Sequence, residues 1–102
     1  TPVAQTSGQG ETVELNMGKP AKINHVIVME KITEGDRIRE YAVEGFTGGA
    51  WKPLCKGQSV GHKRIERFDD VEVSAIRLRV TKSIARPLIR QLAAYNVAPR
   101  PK

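Results

Sequence analysis

The chain has 102 residues, 39% of them hydrophobic and 27% charged, with a formal net charge of +6. That length allows one domain around one core, and that composition is the one of a soluble globular protein with no apolar run near the roughly 20 residues of a membrane-spanning helix. A (β/α)₈ barrel of about 250 residues is excluded, and a single cysteine leaves the fold to stand on packing without an internal disulfide. Thr1 has no initiator methionine or signal peptide ahead of it, so the chain is expected to be a piece of something longer.

Residues 1–10 (TPVAQTSGQG) are polar, glycine-rich and without periodicity, and read as a flexible leader or linker. The dominant period that follows is two. Val13, Leu15 and Met17 alternate with polar neighbours, and the run from Val26 to Met29 is continuously apolar, the pattern of a strand covered on both faces. Tyr41 and Val43 alternate with Glu40 and Glu44, then Ile76, Leu78 and Val80 with Arg77 and Arg79. Turn chemistry at Gly18-Lys19-Pro20, Gly35-Asp36, Gly48-Gly49, Gly57-Gln58 and Asp69-Asp70 separates these runs. The spacing predicts seven strands, near residues 12–17, 24–30, 37–46, 50–55, 62–68, 75–81 and 88–96, before a proline-broken tail over 98–102. Regularly spaced short strands imply an antiparallel sandwich or jelly roll over residues 11–97.

Strands that alternate in direction send every second connection to the same end. Connections near 18–23, 47–49 and 69–74 then share one end and those near 31–36, 56–61 and 82–87 the other. The second set is flanked by Glu30, Lys31, Arg37, His62, Lys63, Arg64, Lys82, Ser83 and Arg86, more polar reach than turning a chain requires.

Charge is uneven along the chain. All eleven acids lie in residues 1–72, with ten bases, whereas residues 73–102 hold seven bases and no acid. A nucleic-acid footprint would take that form, but a binding sheet also needs aromatic stacking platforms, and this stretch offers only Tyr95. The simpler reading pairs Arg77 and Arg79 with acids of earlier strands, and no nucleic-acid or membrane partner is expected.

The chemistry of an active site is missing. The acids are dispersed, whereas glycoside hydrolysis needs two carboxyl groups facing each other about 5 Å or 6.5–9.5 Å apart. Gly57-x-x-x-Gly61-x-Lys63 lacks the spacing of a phosphate-binding loop, and His25, His62 and Cys55 lack that of metal ligands, so no catalytic residue, metal or cofactor is expected. Cys55 reads as a small core hydrophobe, and Trp51, placed near the end opposite the polar loops, as a core filler rather than a sugar platform. Arg37, Lys63 and Arg64 suit sugar hydroxyls or a partner's carboxylates, or else ion pairs with Glu30, Glu34 or Glu66.

The spacing Asn24-x-Val26-x-x-x-Glu30-x-Ile32-x-x-Gly35-x-Arg37-Ile38 resembles the C-terminal, discoidin-like and galactose-binding-like β-sandwich of the α-L-fucosidases. Gly49-Ala50-Trp51-Lys52, Gly57-x-Ser59-Val60-Gly61-x-Lys63-Arg64-Ile65, Arg77-x-Arg79 and Ser83-x-x-x-Pro87-Leu88-Ile89 follow in that family's order. Asp36 stands where the family usually has Gln and His62 where it has Tyr; the first strands and the Asp-rich loop of calcium-binding discoidin relatives are missing, and Gln91 replaces their Glu. The resemblance implies a secreted or periplasmic parent with an upstream catalytic barrel as partner. Fucosylated glycans are the second candidate ligand, and Glu30, Arg37, His62, Lys63, Arg64 and Arg86 the candidate carbohydrate or interdomain contacts. Its alternatives are a stand-alone carbohydrate-binding module and, more remotely, a basic nucleic-acid-binding domain.

Overall fold

The computed structural model describes residues 3–31, 37–60 and 63–97, and every regular element among them is a β-strand. These are β1 (Ala4–Gln9), β2 (Thr12–Glu30), β3 (Ile38–Thr47), β4 (Ala50–Gly57), β5 (Arg64–Ser83) and β6 (Leu88–Tyr95). All pair antiparallel, in the order β1-β6-β2-β5-β3-β4. The class expected from the period of two is the class observed.

Four of the seven expected strands are halves of two long ones. The turn-like residues at 18–20 and 69–70 make a corner instead of ending a strand, because the β2–β5 ladder continues from Thr12↔Arg79 to Val28↔Arg64. Register shifts between Asn16 and Ala21 and between Ile23 and His25 supply the bend, and Gly18 (φ 81°) donates its N–H to Asn16 Oδ1 at 2.7 Å. One layer is thus β4, β3, the C-terminal half of β5 and the N-terminal half of β2. The other is the N-terminal half of β5, the C-terminal half of β2, β6 and β1. The layers face each other: a Cβ on Gly8 of β1 would lie 3.3 Å from Val13 Cγ1, and the Tyr41 hydroxyl of β3 donates to Glu66 of β5 at 3.0 Å. The short dimension of the domain, 20 Å, suits two sheets about 10 Å apart with their side chains.

Between the layers lie Val13, Leu15, Ile23, Val26, Val28, Ile38, Val43, Ile76, Leu78 and Leu92, all buried in one cluster with Tyr41. The predicted alternations of β3 and β5 hold, with Tyr41, Val43, Ile76, Leu78 and Val80 turned inward. The run after His25 departs from expectation. Val26 and Val28 are fully buried, whereas Ile27 and Met29 are only half-buried, on the outer side of their sheet.

The leader reading of residues 1–10 is corrected. Ala4–Gln9 is an edge strand, in register with β6 from Ala4↔Ala94 to Gln9↔Leu88. Main-chain hydrogen bonds hold it, and most of its side chains face solvent, so its composition carries no hydrophobic period. At the corner end Asn24 ties down the exit of β6. Its Nδ2 donates to Asp70 Oδ1 (3.0 Å) and the Val97 carbonyl (2.8 Å), and its Oδ1 accepts from the Val97 N–H (2.8 Å).

Gly57 permits the close approach of β4 to Tyr41: a Cβ there would lie 2.6 Å from the phenol oxygen and 2.7 Å from Cζ. The ring is buried and cannot yield cheaply. Gly57→Ala is expected to cost about 1–3 kcal/mol of stability, read as a lower urea midpoint at unchanged m-value.

Candidate functional site

The folded corner returns both long strands to the end from which they start, so the loop ends gather as the alternation argument requires. Glu30 pairs with Ile89, Ile38 with Ser83 and Gln9 with Leu88, which sets the ends of β1, β2 and β5 side by side; residues 32–36 of the expected 31–36 connection lie outside the described residues. An open cleft of about 540 Å³ lies here, lined by Gly10, Glu11, Ser83, Ile84, Arg86 and Pro87 among others.

The structure brings three of the six candidates together, and largely in internal roles. Glu30 is only 2% exposed; its Oε2 accepts the Arg37 N–H at 2.9 Å, and its Oε1 has no partner among the described residues. Arg37 turns Nη1 onto the Arg86 carbonyl (2.8 Å) while its own carbonyl accepts the Ile84 N–H (2.9 Å). The 84–87 connection is thereby strapped to the start of β3, and Gly10 N–H bonds the Pro87 carbonyl at 2.8 Å. The Arg86 side chain is exposed at the cleft, and Lys63, immediately before β5, is exposed as well. His62 lies outside the described residues.

Arg64 takes the ion-pair alternative. Its Nε sits 2.7 Å from Glu66 Oε1, the oxygen that also accepts the Tyr41 hydroxyl. Glu66 is the centre of a cluster that sequence spacing alone does not single out, because Tyr41, Cys55 and Arg64 reach it from three strands. Burial, reinforced by the hydrogen bond to Glu66, holds the Tyr41 phenol well above the ordinary range. Burial and then the Glu66 charge push the Cys55 thiol up to about 12. A thiol so poorly ionised is no nucleophile.

Trp51 is corrected from core filler to surface platform. It is half-buried on the outer side of β4, outside the core cluster, with its ring edge-on to Phe46 (centroids 5.3 Å apart, planes at 67°). The Arg77 guanidinium covers it at 4.3 Å from the ring centroid, and Arg77 Nε is held 2.6 Å from Glu44. Arg79 lies 3.6 Å from the other Glu44 oxygen and Lys82 3.6 Å from Glu40. Arg77 and Arg79 thus pair with an acid of an earlier strand. The cue for Trp51 is its register: opposite Phe46, which alternates with inward Val43 and Gly45, it must point outward.

Two outcomes are expected. Trp51→Ala should cost about 1–2 kcal/mol, the scale of one aromatic pair with one cation–π contact, rather than about 3–5 for a fully buried Trp; thermal unfolding measures it. Cys55 should react with iodoacetamide at pH 8 at least about a hundredfold more slowly than free cysteine, and unfolding in urea should abolish the difference. The sign for stability follows. The native state holds the Cys55 proton more tightly than the unfolded chain, so this contribution is complete below about pH 9 and lost as pH rises toward about 12.

No family model matches the chain. It is 37% identical over 75 residues to α-L-fucosidase 1 of Arabidopsis thaliana, covering 71% of this chain and 15% of that protein. It is 30% identical over 81 residues to a candidate α-L-fucosidase 1 of Oryza sativa subsp. japonica, covering 79% and 16% respectively. The crystal structure of a candidate α-L-fucosidase from Bacteroides thetaiotaomicron superposes with a TM-score of 0.93 at 47% identity, over 96% of this chain and 23% of that one. The chain spans less than a quarter of each of these relatives, and it is homologous to that one segment of the α-L-fucosidases.

Proposed function

We propose that this chain is a non-catalytic, C-terminal accessory domain of an α-L-fucosidase-like glycoside hydrolase, a jelly-roll sandwich of the galactose-binding-like type that docks on the catalytic barrel of the same polypeptide. The observation that carries this reading is the coverage: the likeness takes in 71% to 96% of this chain and under a quarter of each relative. The acids support it. Glu30, Glu40, Glu44, Glu66 and Asp70 are each engaged by an N–H, a hydroxyl or a cation.

At the loop end Lys63 and Arg86 keep exposed side chains for a partner's carboxylates or a glycan's hydroxyls, with Glu30, Arg37 and Arg64 shaping the surface behind them. A stand-alone carbohydrate-binding module is the second reading, favoured by the open cleft beside Arg86. The test is hydrolysis. The isolated chain should release no fucose from an aryl α-L-fucoside or a fucosylated oligosaccharide, while the polypeptide that contains it does. Turnover by the isolated chain above a heat-inactivated control would overturn the non-catalytic reading.

A further inference from the structure

The two outer faces of the sandwich differ in kind. The outer face of the β4–β3–β5 layer is laced with charge, and the Arg77, Arg79 and Lys82 ion pairs run across it between β3 and β5. On the opposite outer face, β2 presents half-buried Ile27 and Met29, β5 presents Ile65 and β6 half-buried Tyr95, while Ala93 between them is fully covered. Pairing aligns these residues: Ile27 is opposite both Ile65 and Ala93, and Met29 is opposite Gln91. Ile65 is 47% exposed, and none of the ion pairs among the described residues lies on this face.

A bulge adds relief at the margin of this strip. From Leu92 to Ile89 strand β6 advances three residues while β1 advances two, and from Gln91 to Ile89 it advances two while β2 advances one. The extra residue lies between two core-facing positions, so Arg90 and Gln91 both turn outward. They frame a recess of about 520 Å³ with Met29 and with Gln5 and Ser7 of β1. Arg90 and, on β5, Arg67 are exposed cations at the rim.

We infer that this face, centred on Ile27, Met29 and Ile65, is the surface against which the catalytic part of the same polypeptide packs, with Arg67 and Arg90 meeting acidic groups at its margin. The inference rests on the accessory-domain reading above and goes beyond it by naming the face. Three observations support this occupant. The continuous apolar run of β2 is the pattern of a strand covered on both sides, yet its outer side, at Ile27 and Met29, is only partly covered within the domain. An apolar centre with a polar rim is the anatomy of a stable interface. The relatives carry more than three quarters of their length outside the matched segment, which supplies a partner permanently at hand.

The test compares Ile65→Lys with Arg79→Glu on the opposite face, in the isolated chain and in the full-length polypeptide that carries it, by calorimetry. Ile65 is half out in solvent in the domain alone, so Ile65→Lys should leave the melting temperature of the isolated chain unchanged. In the full-length polypeptide it should detach the domain, seen as a separate transition at the isolated chain's melting temperature, and Arg79→Glu should not. A full-length Ile65→Lys protein that melts as the unsubstituted one does, or a detached transition produced by Arg79→Glu instead, would overturn the assignment. So would an isolated chain that sediments as a dimer which Ile65→Lys dissociates, since a second copy would then be the occupant. Hydrolysis of an aryl α-L-fucoside by the unsubstituted full-length protein is scored separately. Its absence would sink the fucosidase reading and leave the docking result standing.

Discussion

The ladder between β2 and β5 is the constraint on which the rest of the domain depends. Two strands of 19 and 20 residues stay paired around a corner, so each belongs to both layers. Sheet pairing normally ends where a strand must leave its plane. Here the register slips at two places in β2, and Gly18 accepts a backbone angle closed to most other residues. The gain is that the layers need no separate covalent crossover to find each other: side chains that alternate along one strand, such as Leu15 and Val26, enter the same core from opposite sides. A domain of this length buries only about two thirds of its unfolded surface and has no disulfide, so registration by a shared ladder matters more than it would in a larger protein.

The same geometry gives the two ends different work. At the corner end, Asn24 holds the chain leaving β6. At the other end the close of β2, the start of β3 and the 84–87 strap arrive together, and Arg37 connects them by donating to one carbonyl, offering its own, and placing its N–H on a buried carboxylate. Hydrogen bonds to charged groups contribute more than neutral ones, and they are directional. Such a tie fixes the path of the 84–87 strap and leaves its Ile84 and Arg86 side chains outward.

Much of this was legible from periodicity. Alternation in β3 and in the C-terminal half of β5 identified inward and outward residues correctly, because each of these strands has one buried and one polar face. Three features escaped for physical reasons. Strand β1 is held by main-chain hydrogen bonds and carries almost no apolar period. Gly-Lys-Pro and Asp-Asp at the corner read as chain reversals, because they serve a bend as well as a turn. Size alone puts Trp51 in the core, whereas its register with Phe46 decides its side. The gathering of loops at one end nevertheless survived the error about strand number: a strand folded over at a corner reverses direction relative to the domain as surely as a hairpin does. Of the candidate residues, Arg37 and Glu30 were found by motif, but what they touch required coordinates.

A family-like motif can therefore mark the scaffold more than the site. Glu30 and Arg37 belong to the spacing that most resembles the fucosidase segment, and both act mainly on backbone of this same domain. Conversely Ile27 and Met29 stand outside the charged and glycine positions of that spacing, and with Ile65 they form an apolar strip on the outer side of one layer, only partly covered within the domain. The polar residues Glu30 and Arg37 are spent internally, whereas the outward aliphatic side chains of the central strand β2 are only half covered by their neighbours and leave apolar surface to solvent. Function sits in what a scaffold leaves unsatisfied. In this sandwich the unsatisfied surface is the apolar-centred face of the β1–β6–β2–β5 layer, whereas on the face across from it Arg77, Arg79 and Lys82 already pair with acids of β3.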